Sequence, residues 1–442
     1  MQPSFSSWDQ LGRDLDGSDS SANFGISLAL SDDGRTLAVG QIRYARVYIF
    51  DWNITANDWT LRGDAISVES PYGGPNFGFS VDLSGDGNVV AVGAMNEIIP
   101  INNTDTNLVV ETITAGTARV FEWDEYNNSW KMKGQVLTGN VDRGNFGASI
   151  ALSNDGMVVA VGAPSGRSIA DQNIQGYVQV WGWSSNESNM WSLRGTKLSG
   201  THNQDLFGYD VALSADGSVL ALSAPWYTGI PHIRLGQDPS PQEDPFTSVS
   251  RIGMVATYDW VEDEWIPRLS PFTGDIKDDA IGNAVSLSND GTVLAIGAYL
   301  KKGLRQNLSG QVQLFKWTSG TNWLELGDAI LGETSGARAG FAVSLSSDGG
   351  RVTLTSRRNR GNARVYEWRN STTPENNAEN GQYDGEWHAI GLPIHGENIH
   401  DQSGHSVALS AFGDVIAISA LWNDGEDGQL PYSGHVRVFS HG

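Results

Sequence analysis

Aliphatic and small residues take turns along Ile26-Ser27-Leu28-Ala29-Leu30. A polar Ser-Asp-Asp-Gly step follows, then a second apolar run, Leu37-Ala38-Val39-Gly40. Period-two alternation marks a strand with one buried face, and Ser, Asp and Gly between two such runs mark a hairpin turn. The unit recurs as Phe-Gly-x-Ser-aliphatic-x-Leu-Ser-x-Asp-Gly-x-x-aliphatic-Ala-aliphatic-Gly-Ala. Its anchors are Phe24-Gly25, Phe77-Gly78, Phe146-Gly147, Phe207-Gly208, Ile281-Gly282, Ala339-Gly340 and Ser403-Gly404. The turn serine lies seven residues past the anchor in every copy, from Ser31 to Ser410. Copies are spaced 53, 69, 61, 74, 58 and 64 residues apart, so a fixed frame carries loops of variable length.

Each copy predicts four strands. The first puts aliphatic residues on one face (Leu28, Val81, Ile150) and small ones on the other (Ser27, Ser80, Ser149). The second runs as Leu37–Gly40, the third ends on an aromatic run such as Val47–Trp52, and the fourth opens on a tryptophan such as Trp59. The seventh copy has only three strands, and Trp8-Asp9-Gln10-Leu11-Gly12 resembles the missing fourth. The expected fold is all-β: a seven-bladed β-propeller of four-stranded antiparallel blades, its last blade closed by the N-terminal strand. One domain then spans 1–442, with blades at 14–64, 65–135, 136–196, 197–269, 270–327, 328–391, and 392–442 plus strand 5–13.

Composition narrows the function. Lys plus Arg number 28 and Asp plus Glu 51, a net charge of −23, which argues against a nucleic-acid partner. No apolar run is long enough to insert in a membrane. Cysteine is absent, which removes disulfides, thiol catalysis and Cys-zinc sites. The N-terminus carries no signal-peptide pattern. Sequons at Asn53, Asn102, Asn127, Asn186, Asn307 and Asn370 are compatible with a secreted glycoprotein.

The repeat resembles the FG-GAP family, the propeller class that includes the integrin α-subunit head. Phe146-Gly147 with Val161-Gly162-Ala163-Pro164 carries both halves of that motif, and the match covers essentially the whole chain. The resemblance implies an adhesion or recognition module at the cell surface or outside the cell. Calcium-binding members carry an Asp-x-Asp-x-Asp-Gly type loop between strands one and two. Here that link is only the short Ser-x-Asp-Gly turn, too short to wrap six oxygens round an ion. Calcium therefore has no family loop to occupy. Weaker acidic candidates are Asp14, Asp16 and Asp19, and Asp424 and Asp427. The histidines show no zinc spacing.

Tryptophans open strand four and close strand three as frame residues. Trp226 and Trp422 lie elsewhere, both 19 residues past their anchors, where other copies hold Arg43, Asn96, Ser165, Leu300 and Arg358. Loops on a rigid frame carry binding. The strand 2–3 loop face therefore offers candidate ligand-binding residues Trp226, Tyr227, Tyr299, Lys301, Arg357, Arg358, Trp422 and Arg43. Indole plates beside guanidinium groups suit an acidic sugar or peptide. The first expectation is a monomeric, non-enzymatic module that binds a glycan or an extracellular protein. A propeller glycosidase or lyase is the alternative, with Asp82 and Asp210 as the carboxylates facing the axis. A structural scaffold without a small ligand is a third reading.

Overall fold

The computed structural model describes the chain apart from residues 1–6, 69–75, 103–108, 166–174, 186–188, 203–204, 229–250, 276–278, 303–307, 319–321, 371–381, 384 and 426–427, and apart from the side chains of 102, 109–111 and 382. Seven antiparallel sheets form the blades of a propeller. Blade one orders Phe24–Leu30, Thr36–Gln41, Arg46–Asn53 and Asp58–Leu61 from the axis outward. Blades two to six repeat that order. The seventh combines Ser403–Leu409, Val415–Ala420 and His435–His441 with Trp8–Gln10, in register Trp8↔His441, Asp9↔Ser440 and Gln10↔Phe439. The N-terminal strand thus closes the ring and covers the edge of the C-terminal strand.

Three features add to the expected pattern. Two-residue strands such as Ile66–Ser67 pair back onto the start of their blade's third strand. The blade-two loop contains a hairpin, Ile98–Asn102 with Val109–Thr114. Gln382–Tyr383, from blade six, pairs in parallel with the outer strand of blade five.

Tryptophans join the blades. In blades one to six, the tryptophan that ends strand three lies opposite the one that opens strand four, as in Trp52↔Trp59. The strand-four indole then reaches the preceding blade. Trp59 Nε1 donates to the Leu11 carbonyl at 3.0 Å, Trp130 to Arg62 at 3.1 Å, Trp191 to Lys133 at 2.7 Å and Trp387 to Leu326 at 2.7 Å. Trp8 closes the circuit on the Ile390 carbonyl at 3.0 Å.

Nearer the axis the repeat explains its own glycines. Gly78 adopts φ +88°, and its carbonyl comes so close to blade one that a Cβ on Gly40 would lie 2.0 Å from that oxygen. The small residues of strand one serve the same seam. Ser27, Ser80 and Ser149 donate to the carbonyls of Gly78, Gly147 and Gly208 in the following blades, at 2.8–3.0 Å.

The Ser-x-Asp-Gly turns are built as the sequence predicts. Ser84 Oγ donates to Asp86 Oδ1 at 2.6 Å, and Asp86 Oδ1 accepts the Asn88 N–H at 2.9 Å. The variable x residues then form a closed backbone ring. The N–H of Asp32 donates to the Gly85 carbonyl, Gly85 to Asn154, Asn154 to Ala215, Ala215 to Asn289, Asn289 to Ser347, Ser347 to Ala411, and Ala411 back to Asp32, all at 2.8–2.9 Å.

Candidate functional site

The first strands of all seven blades line an axial channel of about 720 Å³. The turn ring contributes Asp32, Gly85, Asn154 and Asn289 to its wall. There Asn154 Nδ2 donates to Asp32 Oδ2 at 2.6 Å across the position of Gly85. Met95, Ser165, Tyr209, Phe341 and His405 line the channel on the side of the 2–3 and 4–1 loops. Those two loop types meet: the Trp226 N–H donates to the Asp205 carbonyl, and that of Trp422 to Asp401, each at 3.1 Å.

Asp82 and Asp210 both line the channel. Burial pushes Asp82 up to about 7 and Asp210 up to about 6. Their oxygens are engaged. Asp82 accepts from the Leu83 N–H at 2.9 Å and, across the blade boundary, from Leu152 at 2.7 Å. Asp210 accepts from Val211 at 3.1 Å and from Val285 in blade five at 2.8 Å. Serines do the same work elsewhere. Ser286 and Ser344, equivalent to Asp82, accept from Leu345 and Leu409, and Ser406, equivalent to Asp210, accepts from Leu28, at 3.1–3.2 Å. The inner strand of each blade is a sheet edge whose N–H groups need acceptors. The two aspartates supply them.

The basic arc separates into parts. Tyr299, Arg357 and Arg358 line one cleft of about 500 Å³, together with Arg338, Phe341 and Gln402. Arg357 lies over the Phe341 ring, its guanidinium carbon 4.2 Å from the ring centroid, and donates to Gln402 Oε1. Its Nε is buried without a hydrogen-bond partner among the described residues. Burial, and Arg338 beside it, lower its pKa. Tyr299 meets Phe341 edge-on at 5.7 Å. Arg357 and Phe341 form the boundary between cleft and channel. Phe341 lines both, and His405 packs on Phe341 at 5.7 Å from the channel side. Burial and the nearby Arg357 charge push His405 down to about 3, so it is neutral. Burial, with Tyr299 and Asp210, pushes the Tyr209 hydroxyl up to about 12. Arg358 donates to the Ser335 carbonyl at 2.5 Å and also borders a second cleft that contains Arg360. Among the described residues, no carboxylate pairs with Arg338, Arg357, Arg358 or Arg360.

The other candidates stand apart from this cleft. Trp226 carries the Arg251 guanidinium at 4.3 Å, and Tyr227 packs into the blade-four core beside His202. Lys301 pairs with Asp279 at 3.5 Å. Trp422 is 44% exposed and meets Tyr432 edge-on. Arg43 is exposed and donates to the Ser20 carbonyl at 3.1 Å. Of the acidic candidates, Asp14 joins Glu397 and His435 in one cluster. Asp16 pairs through its backbone with His435, Asp19 accepts from Ser18, and Asp424 accepts the Tyr432 N–H. Asp427 lies outside the described residues.

No protein-family model and no curated protein matches this chain. Propellers occur among enzymes and non-enzymes alike, so function has to be argued from the site. Sequence comparison between copies found Tyr299, Arg357 and Arg358. It missed Arg338 and Phe341, which sit in the anchor region where the frame residues hold attention. The available signal was a basic side chain immediately before the Ala339-Gly340 anchor. Among the described residues there is no helix, and so none long and apolar enough to cross a membrane.

Proposed function

We propose that this propeller is a non-enzymatic recognition module of the cell surface or extracellular space, and that it binds an acidic glycan in the cleft between Arg338 and Arg357. One observation carries the reading. In a chain of net charge −23, these two guanidinium groups line the same cleft without a carboxylate partner among the described residues. Holding like charges together at a partly buried position costs free energy that a bound anion offsets. Guanidinium forks accept carboxylate or sulfate bidentately. Phe341 and Tyr299 supply apolar faces for a sugar ring, and about 500 Å³ suits a short saccharide. The engagement of Asp82 and Asp210 as N–H acceptors supports recognition over hydrolysis. The FG-GAP resemblance agrees by analogy. The test is an array of acidic and neutral glycans, read with calcium and with chelator. Uronate or sulfated glycans bind and neutral ones do not. Neutral-only binding removes the reading, and a blank array with capture of an acidic protein partner moves it to protein docking.

A further inference from the structure

The closing seam of the ring contains a side-chain cluster that the acidic-glycan reading does not use. Asp14 follows the N-terminal strand, Glu397 lies in the connection from blade six to blade seven, and His435 opens the third strand of blade seven. Their donor atoms all lie within 4.8 Å of one another. His435 Nδ1 is 3.7 Å from Asp14 Oδ2 and 3.8 Å from Glu397 Oε2. Both distances exceed a hydrogen bond. Two bonds of about 2.0–2.2 Å at a near-tetrahedral angle would separate donor atoms by about 3.3–3.6 Å, close to this spacing.

The histidine is the second, independent sign. It is 1% exposed, aimed at both carboxylates, and its ring makes no hydrogen bond among the described residues. Burying an imidazole without a partner is costly. The backbone holds it rigidly: His435 pairs with Ala420 on one side and Asp16 on the other. Arg437 fixes the far oxygen of Glu397 at 3.6 Å while donating to the His395 carbonyl at 2.6 Å.

We infer that Asp14, Glu397 and His435 form a binding site for a first-row divalent transition ion of the zinc type, which ties the N-terminal strand, the last blade and blade six together at the closing seam. One imidazole and two carboxylates, with water as the fourth ligand, suit zinc. Calcium needs six to eight oxygens, and this set supplies too few.

The experiment uses the full chain stripped by chelator. Zinc is titrated calorimetrically and melting is followed with zinc, with calcium and with neither. The expected result is one zinc per chain, a melting temperature raised by zinc and unmoved by calcium, and a blue cobalt derivative whose strong visible absorption reports a four-coordinate nitrogen–oxygen site, where a pale pink one would report six-coordination. Loss of an outer-shell partner alone weakens metal sites about 10–100-fold, so Glu397→Gln and Asp14→Asn should weaken zinc by at least that much. Both residues keep some exposure, so these variants test the site without emptying a buried position. Absence of stoichiometric zinc binding overturns the inference. So does zinc binding that both variants leave unchanged, which would place the ion elsewhere on the acidic surface.

Discussion

Trp8 lies directly opposite His441, ring centroids 5.1 Å apart, where the other six blades place a tryptophan against a tryptophan. The first and last ordered strands of the chain therefore meet in the same geometry that each blade uses internally. Trp8 also donates its indole N–H to Ile390 in blade six. A single residue joins the N-terminal strand both to the last blade and to the blade before it.

Deleting residues 1–13 should therefore open the ring. It removes Trp8 and exposes the edge of His435–His441. An exposed edge pairs with other chains. The expected outcome in size-exclusion chromatography is oligomer or aggregate, with loss of the cooperative melting transition. A monomer with unchanged melting would refute closure by this strand.

Trp59 is 1% exposed and donates to Leu11. Trp59→Ala should cost about 3–5 kcal/mol in urea unfolding. Trp59→Phe keeps much of the packing but strands a carbonyl, and should cost about 1–3 kcal/mol. Trp130 is only partly buried, so Trp130→Ala should cost less than Trp59→Ala. Equal costs would show that packing at this seam does not follow burial.

Asp82 and Asp210 give stability a pH dependence. Their folded values, about 7 and about 6, lie above the ordinary carboxylate range. Their contribution is fully present below about pH 4 and is lost as pH rises through 6 to 7. Both side chains are only partly buried, and solvent screening at such positions reduces the combined loss to about 1–3 kcal/mol. The serines at equivalent positions show what can replace them. Asp82→Ser/Asp210→Ser should fold and should lose most of the slope between pH 4 and 7. An unchanged slope would assign it to other groups.

Most of the frame was legible in the sequence because its constraints are local and repeated. Turn serines and anchor glycines recur in every blade and paired tryptophans in six of the seven, so copies can be compared with one another. The backbone ring was not legible. Its members, Asp32, Gly85, Asn154, Ala215, Asn289, Ser347 and Ala411, share no side-chain chemistry, since only their peptide groups bond. The Asp82 and Asp210 roles were hidden for a related reason: a carboxylate facing the axis looks like chemistry until its N–H donors in the next blade are placed. The Asp14, Glu397 and His435 cluster joins a residue near the N-terminus to two in the last blade region, and no local spacing announces it. Arg338 and Arg357 belong to different loops of blade six and converge only in the fold.

The central claim is that this pair of arginines recognises an acidic glycan. The most direct measurement compares wild type with Arg338→Gln and Arg357→Gln on the same acidic and neutral glycan array, at low and at high salt. Arg338 is exposed, so its variant tests charge without disturbing packing. The account predicts that wild type binds uronate or sulfated glycans, that added salt weakens the binding, and that both variants lose it while melting like wild type. Acidic-glycan binding that survives in both variants would contradict it.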